Sequence, residues 1–189
     1  MATRAVLIEA GPTPWDLEQR LAGSSSLPLT AEALDAIRHL VDTLGFHIDS
    51  VYRSAVNEAA MQTAQIIAKK FGLRARDNRD LEEVDLGLWE GLLPEELRQR
   101  FPTVYPKWVE EPLQVTPPDG EPLTGAIERI RGAVNRILRR NRGYSFALAL
   151  RPMAFQIATG VLRGESPPAI AERLHRRQAL ETIEFDSAE

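Results

Sequence analysis

Cysteine is missing from this 189-residue sequence. Its absence excludes disulfides, thiolate catalysis and cysteine-ligated metal sites, and it permits a reducing compartment, so we expect a cytoplasmic protein. Histidine is almost as scarce, since only His39, His47 and His175 occur. They fall in a predicted helix, a loop and a C-terminal segment, and we interpret each as an ordinary surface or core residue.

Long apolar runs and an excess of basic residues are also lacking. The short apolar run near the N-terminus is far from a signal or spanning segment, so no membrane is expected. A net charge of −4 disfavours nucleic acid as a partner. The basic clusters 136–142 and 173–177 lie near the C-terminal ends of helical patterns, and we interpret them as solvated faces. The remaining composition, 43% hydrophobic and 26% charged, is typical of a soluble globular domain.

Strand and helix patterns alternate along the chain. The apolar patterns predict strands at 4–8, 48–52, from 74, at 144–150 and at 180–185, and helices at 31–44, 57–71, from 94, at 123–140, 155–162 and 168–174. This order favours parallel strands joined by right-handed crossovers. The sequence therefore predicts one α/β domain over residues 1–189, a three-layer α/β/α sandwich with a mostly parallel central sheet. The proline-rich stretch 101–122 is predicted to be a long covering loop, part of a cap-like insertion at about 92–122.

Two segments carry a family resemblance. The stretch from Leu7 to Gly23 and the turn after it resemble the opening motif of the histidine phosphatase (phosphoglycerate mutase-like) superfamily through Gly11, Thr13, Trp15, Arg20, Gly23 and Pro28-Leu29-Thr30. Glu83 to Gly87, followed by Trp89-Glu90-Gly91, looks like the family's acid-bearing segment. Tyr105, Trp108, Pro112, Pro117, Gly120-Glu121 and Arg129 look like its substrate-covering insertion and the helix after it. The resemblance implies a phosphoglycerate mutase-like fold, and it makes a homodimer plausible.

The residues at the family's catalytic positions are different here. The resemblance places Glu9 and Ala10 where the family has its first Arg and its nucleophilic His, and Glu58 and Arg151 where it has the second Arg and His. Glu83 keeps the position of the family's proton donor. The resemblance thus implies a degenerate pocket made of Glu9, Asp16, Glu58, Glu83 and Arg151.

These replacements argue against phosphohistidine chemistry. Losing the nucleophile of a catalytic unit costs roughly a factor of 10⁶ in turnover, and Ala10 has none. A carboxylate at about 4 Å repels each unit of phosphate charge by about 4 kcal/mol at an effective dielectric near 20. The main prediction is therefore a catalytically inactive protein, a pseudophosphatase, with a binding, regulatory or structural role toward an unknown protein or small ligand and with no cofactor.

Other interpretations of the pocket stay open. Arg151 could lie between Glu9 and Glu58 in a closed ion-pair network. The acidic cluster could instead bind a divalent cation or a partner's basic side chain, although no ligand spacing specifies a metal. As an alternative function, a hydrolase related to phosphomonoesterases could use Glu83 or Glu9 as a base toward water, on a non-phosphate or unusual substrate, with glycosidase-like paired carboxylates as one form. We interpret Trp15, Trp89 and Trp108 as packing beneath loops at the cleft mouth rather than as a stacking platform for a sugar or a base.

Overall fold

A computed structural model describes residues 2–186 of the chain. In this range the elements follow the order β1 (Thr3–Glu9), α1 (Pro14–Leu17), α2 (Ala31–Asp42), β2 (Ser50–Arg53), α3 (Glu58–Phe71), β3 (Ala75–Asp77), α4 (Pro94–Arg100), α5 (Val104–Glu110), α6 (Leu123–Arg140), β4 (Ser145–Leu150), α7 (Pro152–Leu162), α8 (Pro167–Arg173) and β5 (Leu180–Phe185). Short 3₁₀ turns lie at Arg79–Leu81, Gly87–Trp89 and Pro112–Gln114. None of the helices in the described range is both long and apolar enough to cross a membrane.

The five strands form one sheet in the order β3-β2-β4-β1-β5. β2 pairs in parallel with β3 and β4, and β1 pairs in parallel with β4. β5 runs antiparallel to β1 at the edge, with Thr3 opposite Phe185. The prediction of a mostly parallel sheet is confirmed, and β5 is its antiparallel member.

Helices cover both faces of the sheet, which confirms the predicted α/β architecture. Successive side chains of β1 point to opposite faces. Leu7 packs into the cluster formed with α6 and α7, whereas Ile8 packs into the cluster formed with α2 and α3. Both side chains are fully buried, so β1 is covered by helices on both faces.

Two predicted elements need correction. α7 begins at Pro152 rather than at 155, because proline at the first helical position loses no intrahelical hydrogen bond. The stretch 101–122, predicted as a loop, contains α5 and a 3₁₀ turn. Pro106 is tolerated because it lies in the first turn of α5, and Tyr105 packs its ring against Trp89. That residues 92–122 act as a cap stays a prediction.

A tight loop contact joins the segment around Gly87 to the turn around Pro118. The Leu88 N–H donates to the Pro118 carbonyl at 2.9 Å, and the Glu121 N–H donates to the Asp85 carbonyl at 3.0 Å. Gly87 has a φ of +52°, and a Cβ at that position would overlap the Pro118 carbonyl oxygen. Only glycine fits this contact without displacing the backbone.

We therefore expect Gly87→Ala to lower the free energy of unfolding by about 2–4 kcal/mol, because a left-handed backbone and a backbone clash each cost about 1–3 kcal/mol. The matched control is Gly125→Ala on the exposed face of α6, where a Cβ would meet only Pro122 at 3.4 Å. That variant should gain about 0.5–1 kcal/mol, since glycine is a poor helix former. Urea unfolding measures the change in the free energy of unfolding for both variants. Equal changes at the two positions would contradict the tight contact at Gly87.

Candidate functional site

The carboxyl ends of β1 and β4 lie side by side. Glu9 ends β1 opposite Leu150, and the Ala10 N–H donates to the Leu150 carbonyl at 2.7 Å. Arg151 follows directly as the N-cap of α7. Ligands of open α/β sheets bind outside the carboxyl ends of the strands, so the fold itself brings Glu9 and Arg151 to a candidate site.

Arg151 is held by the segment after β1. Its guanidinium donates from Nη2 to both carboxylate oxygens of Asp16, at 2.8 and 3.0 Å, and from Nη1 to the Gly11 carbonyl at 3.2 Å. The Arg151 side chain is only 3% exposed. The predicted network of Arg151 with Glu9 and Glu58 is therefore wrong, because Asp16 takes the guanidinium instead.

Asp16 is fixed from its other side by a capping box. Its Oδ2 accepts hydrogen bonds from the Thr13 N–H at 2.8 Å and from the Thr13 hydroxyl at 2.7 Å. Burial alone would raise the pKa of Asp16, but Arg151 and the Thr13 donors outweigh it and hold this pKa below its usual value. Asp16 is thus a paired carboxylate.

Glu83 caps the N-terminus of α7. Its carboxylate accepts backbone N–H bonds from Val84, Met153 and Ala154, each at 2.8 Å. Burial raises the pKa of Glu83, against these donors and Arg151. Three backbone donors occupy three of the roughly four acceptor sites of its carboxylate, so Glu83 orients α7.

Glu9 is the carboxylate without a strong partner. Its Oε2 is buried and accepts no hydrogen bond from any described residue. Burial raises the pKa of Glu9 to about 7, opposed by Arg177, the Gln178 N–H and Arg151, and Glu83 adds to the rise. This side chain therefore changes its charge near neutral pH.

One of the predicted site positions lies elsewhere. Glu58 is the first residue of α3, where the helix dipole favours an acidic side chain, and it is exposed beside Gln62. Its predicted place in the pocket needs correction, since it lines neither the cavity that contains Glu9 and Arg151 nor the one that contains Glu83. Ala10 has 1% exposure and packs in the core against α2.

A cavity of about 310 Å³, here called the floor, joins the remaining residues. It is lined by Glu9, Ala10, Gly11, Pro12, Asp16, Arg20, Arg151, Pro152 and Arg177. Sequence reasoning missed two of its cations. Arg20 was part of the motif match but had no assigned role, and Arg177 was hidden in a cluster interpreted as a solvated face. Arg177 is exposed, and it forms no hydrogen bond or ion pair within residues 2–186.

A second cavity of about 370 Å³, here called the cleft, adjoins the floor through Asp16, Arg151, Pro152 and Arg177. Tyr105 and Trp108 form part of its wall. Both rings contact the fully buried Trp89 edge to face, with centroids 5.5 and 5.6 Å away. The wall of the cleft is thus packed against the core through Trp89.

Metal-ligating side chains do not converge in the described part of the chain, where no three of them could hold an ion together. Asp16 is committed to Arg151, and Glu83 is committed to backbone donors. The arrangement fits proton transfer at Glu9 and binding of an anion at the neighbouring arginines better than it fits cation binding.

Comparison with known proteins gives the family. The model of the histidine phosphatase superfamily (branch 1) matches residues 6–189. The chain belongs to this superfamily. Its fold agrees, because the alpha-ribazole phosphatase from Shigella flexneri superposes with a TM-score of 0.84 at 22% identity, over 97% of this chain and 91% of that one.

Two curated relatives of this histidine phosphatase superfamily member are named as enzymes. One is phosphoserine phosphatase 1 of Hydrogenobacter thermophilus, 27% identical over 73% of this chain and 65% of the relative. The other is the 2,3-bisphosphoglycerate-dependent phosphoglycerate mutase of Bartonella tribocorum, 33% identical over 69% of this chain and 66% of the relative. The match thus spans about two thirds of each relative.

These comparisons correct the prediction of a catalytically inactive protein. The relatives that match this histidine phosphatase superfamily member are named as a phosphatase and a mutase, so they point to turnover rather than to a purely structural role. The alternative prediction, a family hydrolase with a remodelled site, agrees better with them.

The pKa of Glu9 makes stability depend on pH. The native carboxyl keeps its proton up to about pH 7, whereas the unfolded one loses it near pH 4.5, so the free energy of unfolding should fall as pH rises between these values. For this shift the loss is about 3 kcal/mol between pH 4.5 and 8. Urea unfolding of wild type and Glu9→Gln at both pH values isolates it. The variant should gain about 3 kcal/mol over wild type on going to pH 8, and a constant difference between the two proteins would contradict the raised pKa.

Proposed function

We propose that this protein is a hydrolase related to the phosphomonoesterases, in which Glu9 activates a water for direct attack on the phosphate ester of a small molecule. The observation that carries the proposal is the placement of Glu9. Its carboxyl lies at the carboxyl end of β1, lines the floor, and has one oxygen without a hydrogen-bond partner among the described residues. The names of the curated relatives support the reaction class.

The raised pKa suits the role of a general base. Proton transfer is most efficient when the pKa of the base lies near the working pH, and the pKa of Glu9 is about 7. Glu83 could play this part by sequence position, but its oxygens are occupied by backbone donors. Glu9 is therefore the better candidate of the two bases.

The floor also carries less negative charge than the sequence implied. The predicted repulsion of phosphate counted Glu58, which lies outside, and Asp16, whose charge is balanced by Arg151. Arg177 adds a cation that the prediction did not include, whereas the charge of Arg20 is balanced by Glu18 at 2.6 Å. An anionic ester can therefore bind with its oxygens toward Arg177.

Ala10 fixes the form of the reaction that we propose. Because position 10 offers no nucleophile, the bond to phosphorus would be formed by the water oxygen itself. Glu9 takes the proton of that water as the bond to the leaving oxygen breaks, and the leaving alkoxide gains a proton from solvent or from protonated Glu9. The reaction would proceed in one displacement with no covalent enzyme intermediate.

Release of inorganic phosphate tests the proposal. Purified protein is incubated with p-nitrophenyl phosphate, phosphoserine and simple alkyl phosphates, with Glu9→Gln prepared in parallel to reveal contaminating phosphatase. We expect turnover without a burst phase and with no label retained on the protein from a radioactive phosphate ester. Folded wild-type protein that releases no more phosphate than Glu9→Gln on every substrate would overturn the proposal.

A further inference from the structure

An open groove of about 800 Å³ adjoins the floor. It runs between α2 and the residues that precede β5. Its walls are mainly apolar and include Pro12, Ala33, Ala36, Ile37, Leu40 and Ala179. None of these residues belongs to the reaction that we propose for Glu9, so the groove has no role so far.

The groove and the floor are continuous. Both are lined by Glu9, Gly11, Pro12 and Arg177. A molecule whose charged end lies at the floor can therefore extend into the groove without crossing the core. The path starts at the side chain that we propose as the base.

The distribution of charge along the groove is uneven. Among the described residues that line it, the acidic and basic ones are Glu9 and Arg177, at the end shared with the floor. From there the groove follows α2 from Ala33 to its C-cap Thr43, a distance of about 15 Å at 1.5 Å per residue. His39 and Thr43 border the far part of the groove, and Gln178 borders its side. A charged head at one end and an apolar chain along the rest would match this pattern.

The cleft has a mixed lining. Its charged or titratable residues Asp16, Arg98 and His175 stand among apolar ones such as Tyr105 and Trp108. The groove, in contrast, offers length and an apolar surface next to a single charged end.

We infer that the groove binds the unbranched apolar chain of an amphiphilic phosphate monoester whose phosphate lies on the floor, which names the substrate class of the function proposed above and rests on it. Arg177 would contact the phosphate at the junction, and α2 would contact the chain. Each buried methylene contributes a factor of roughly four in affinity. Even partial burial in an open groove should therefore favour long chains strongly.

The test compares n-decyl phosphate with n-propyl phosphate below the micelle concentration of the longer ester. Wild type should show kcat/KM at least tenfold higher for the decyl ester. Ala36→Trp places a large ring in the groove on the exposed side of α2, and it should reduce this ratio toward one. The matched control is Arg38→Trp, which adds the same ring outside the groove on the same helix and should leave the ratio unchanged.

Equal kcat/KM for both esters in wild type, or a ratio unaffected by Ala36→Trp, would overturn the inference while leaving the proposed hydrolysis intact. An unaffected ratio accompanied by loss of a dimer in Ala36→Trp would assign the groove to a second copy of the chain instead.

A binding measurement separates this inference from the proposed reaction. If neither ester is hydrolysed, the proposed function fails. Thermal unfolding with n-decylphosphonate or methylphosphonate then tests whether the groove binds an apolar chain, because a ligand of the native state raises the unfolding temperature. A rise in the unfolding temperature with the decyl compound alone, lost in Ala36→Trp and kept in Arg38→Trp, would support binding of the chain in the groove. The absence of such a shift overturns it.

Discussion

Glu9→Gln should lower kcat/KM for phosphate ester hydrolysis by about 10²–10⁴-fold, the contribution typical of a positioned general base. Glutamine keeps the size and shape of the side chain but cannot accept a proton from water. Steady-state phosphate release at pH 8, where Glu9 is largely ionised, measures the effect. Loss of fold cannot account for the decrease, because the same substitution is expected to stabilise the protein at that pH.

The pH profile provides an independent reading of the same side chain. In wild type, kcat/KM should rise about tenfold per pH unit below 7 and level off above it, since only the ionised base is active. Glu58→Gln is the matched control, because Glu58 is exposed on α3 and outside every cavity that Glu9 lines. It should keep its activity within about twofold, as surface substitutions usually do. Full activity in Glu9→Gln, or a flat profile in wild type, would remove Glu9 from the reaction.

Asp16→Ala should lower the free energy of unfolding by about 3–5 kcal/mol, the usual cost of removing one partner from a buried ion pair. Arg151 is 3% exposed and gives both of its Nη2 contacts to Asp16. Truncation leaves this guanidinium buried with only the Gly11 carbonyl as an acceptor among residues 2–186. The penalty is therefore mainly that of an unpaired buried charge. Urea unfolding at pH 7 measures it.

An exposed ion pair supplies the control for Asp16→Ala. Asp35 contacts Arg38 at 2.6 Å with both side chains more than half exposed, so Asp35→Ala should cost no more than about 1 kcal/mol. A double variant, Asp16→Ala with Arg151→Met, should recover part of the loss because the guanidinium is then no longer left buried without its partner. If Asp16→Ala costs as little as Asp35→Ala, the pair is not the anchor that the geometry indicates.

Most of the fold could be predicted from local patterns. The apolar run of β1, the Thr30 cap of α2 and the Gly72 stop of α3 are signals carried by neighbouring residues, and the structure places elements at those positions. The direction of β5 could not be predicted in this way, because a strand pattern reads the same in either orientation. The helix α5 was missed because prolines at its ends outweighed the burial of Tyr105, which depends on contacts distant in sequence.

The site shows the same division. Glu9, Asp16, Glu83 and Arg151 were all predicted as pocket residues, and the structure places each of them on the floor or the cleft. Glu58 also comes shortly after a strand, but it is the first residue of α3, and its side chain is exposed to solvent. The pairing of Arg151 with Asp16 and the burial of Glu9 arise from three separate segments, so no local pattern contains them. Arg177 enters from the segment after α8, whose position depends on how β5 closes the sheet.

The position of β1 in the sheet also sets an order of events during synthesis. Both of its neighbours, β4 and β5, come from the last third of the chain. The ribosome must therefore synthesise the chain through β5 before β1 can pair with both neighbours. Until then the apolar residues of β1 remain unpaired. Such non-local pairing slows folding and exposes the chain to aggregation. We accordingly expect the earliest strand to be among the last to become protected from hydrogen exchange during refolding, and the floor built on it to form only then.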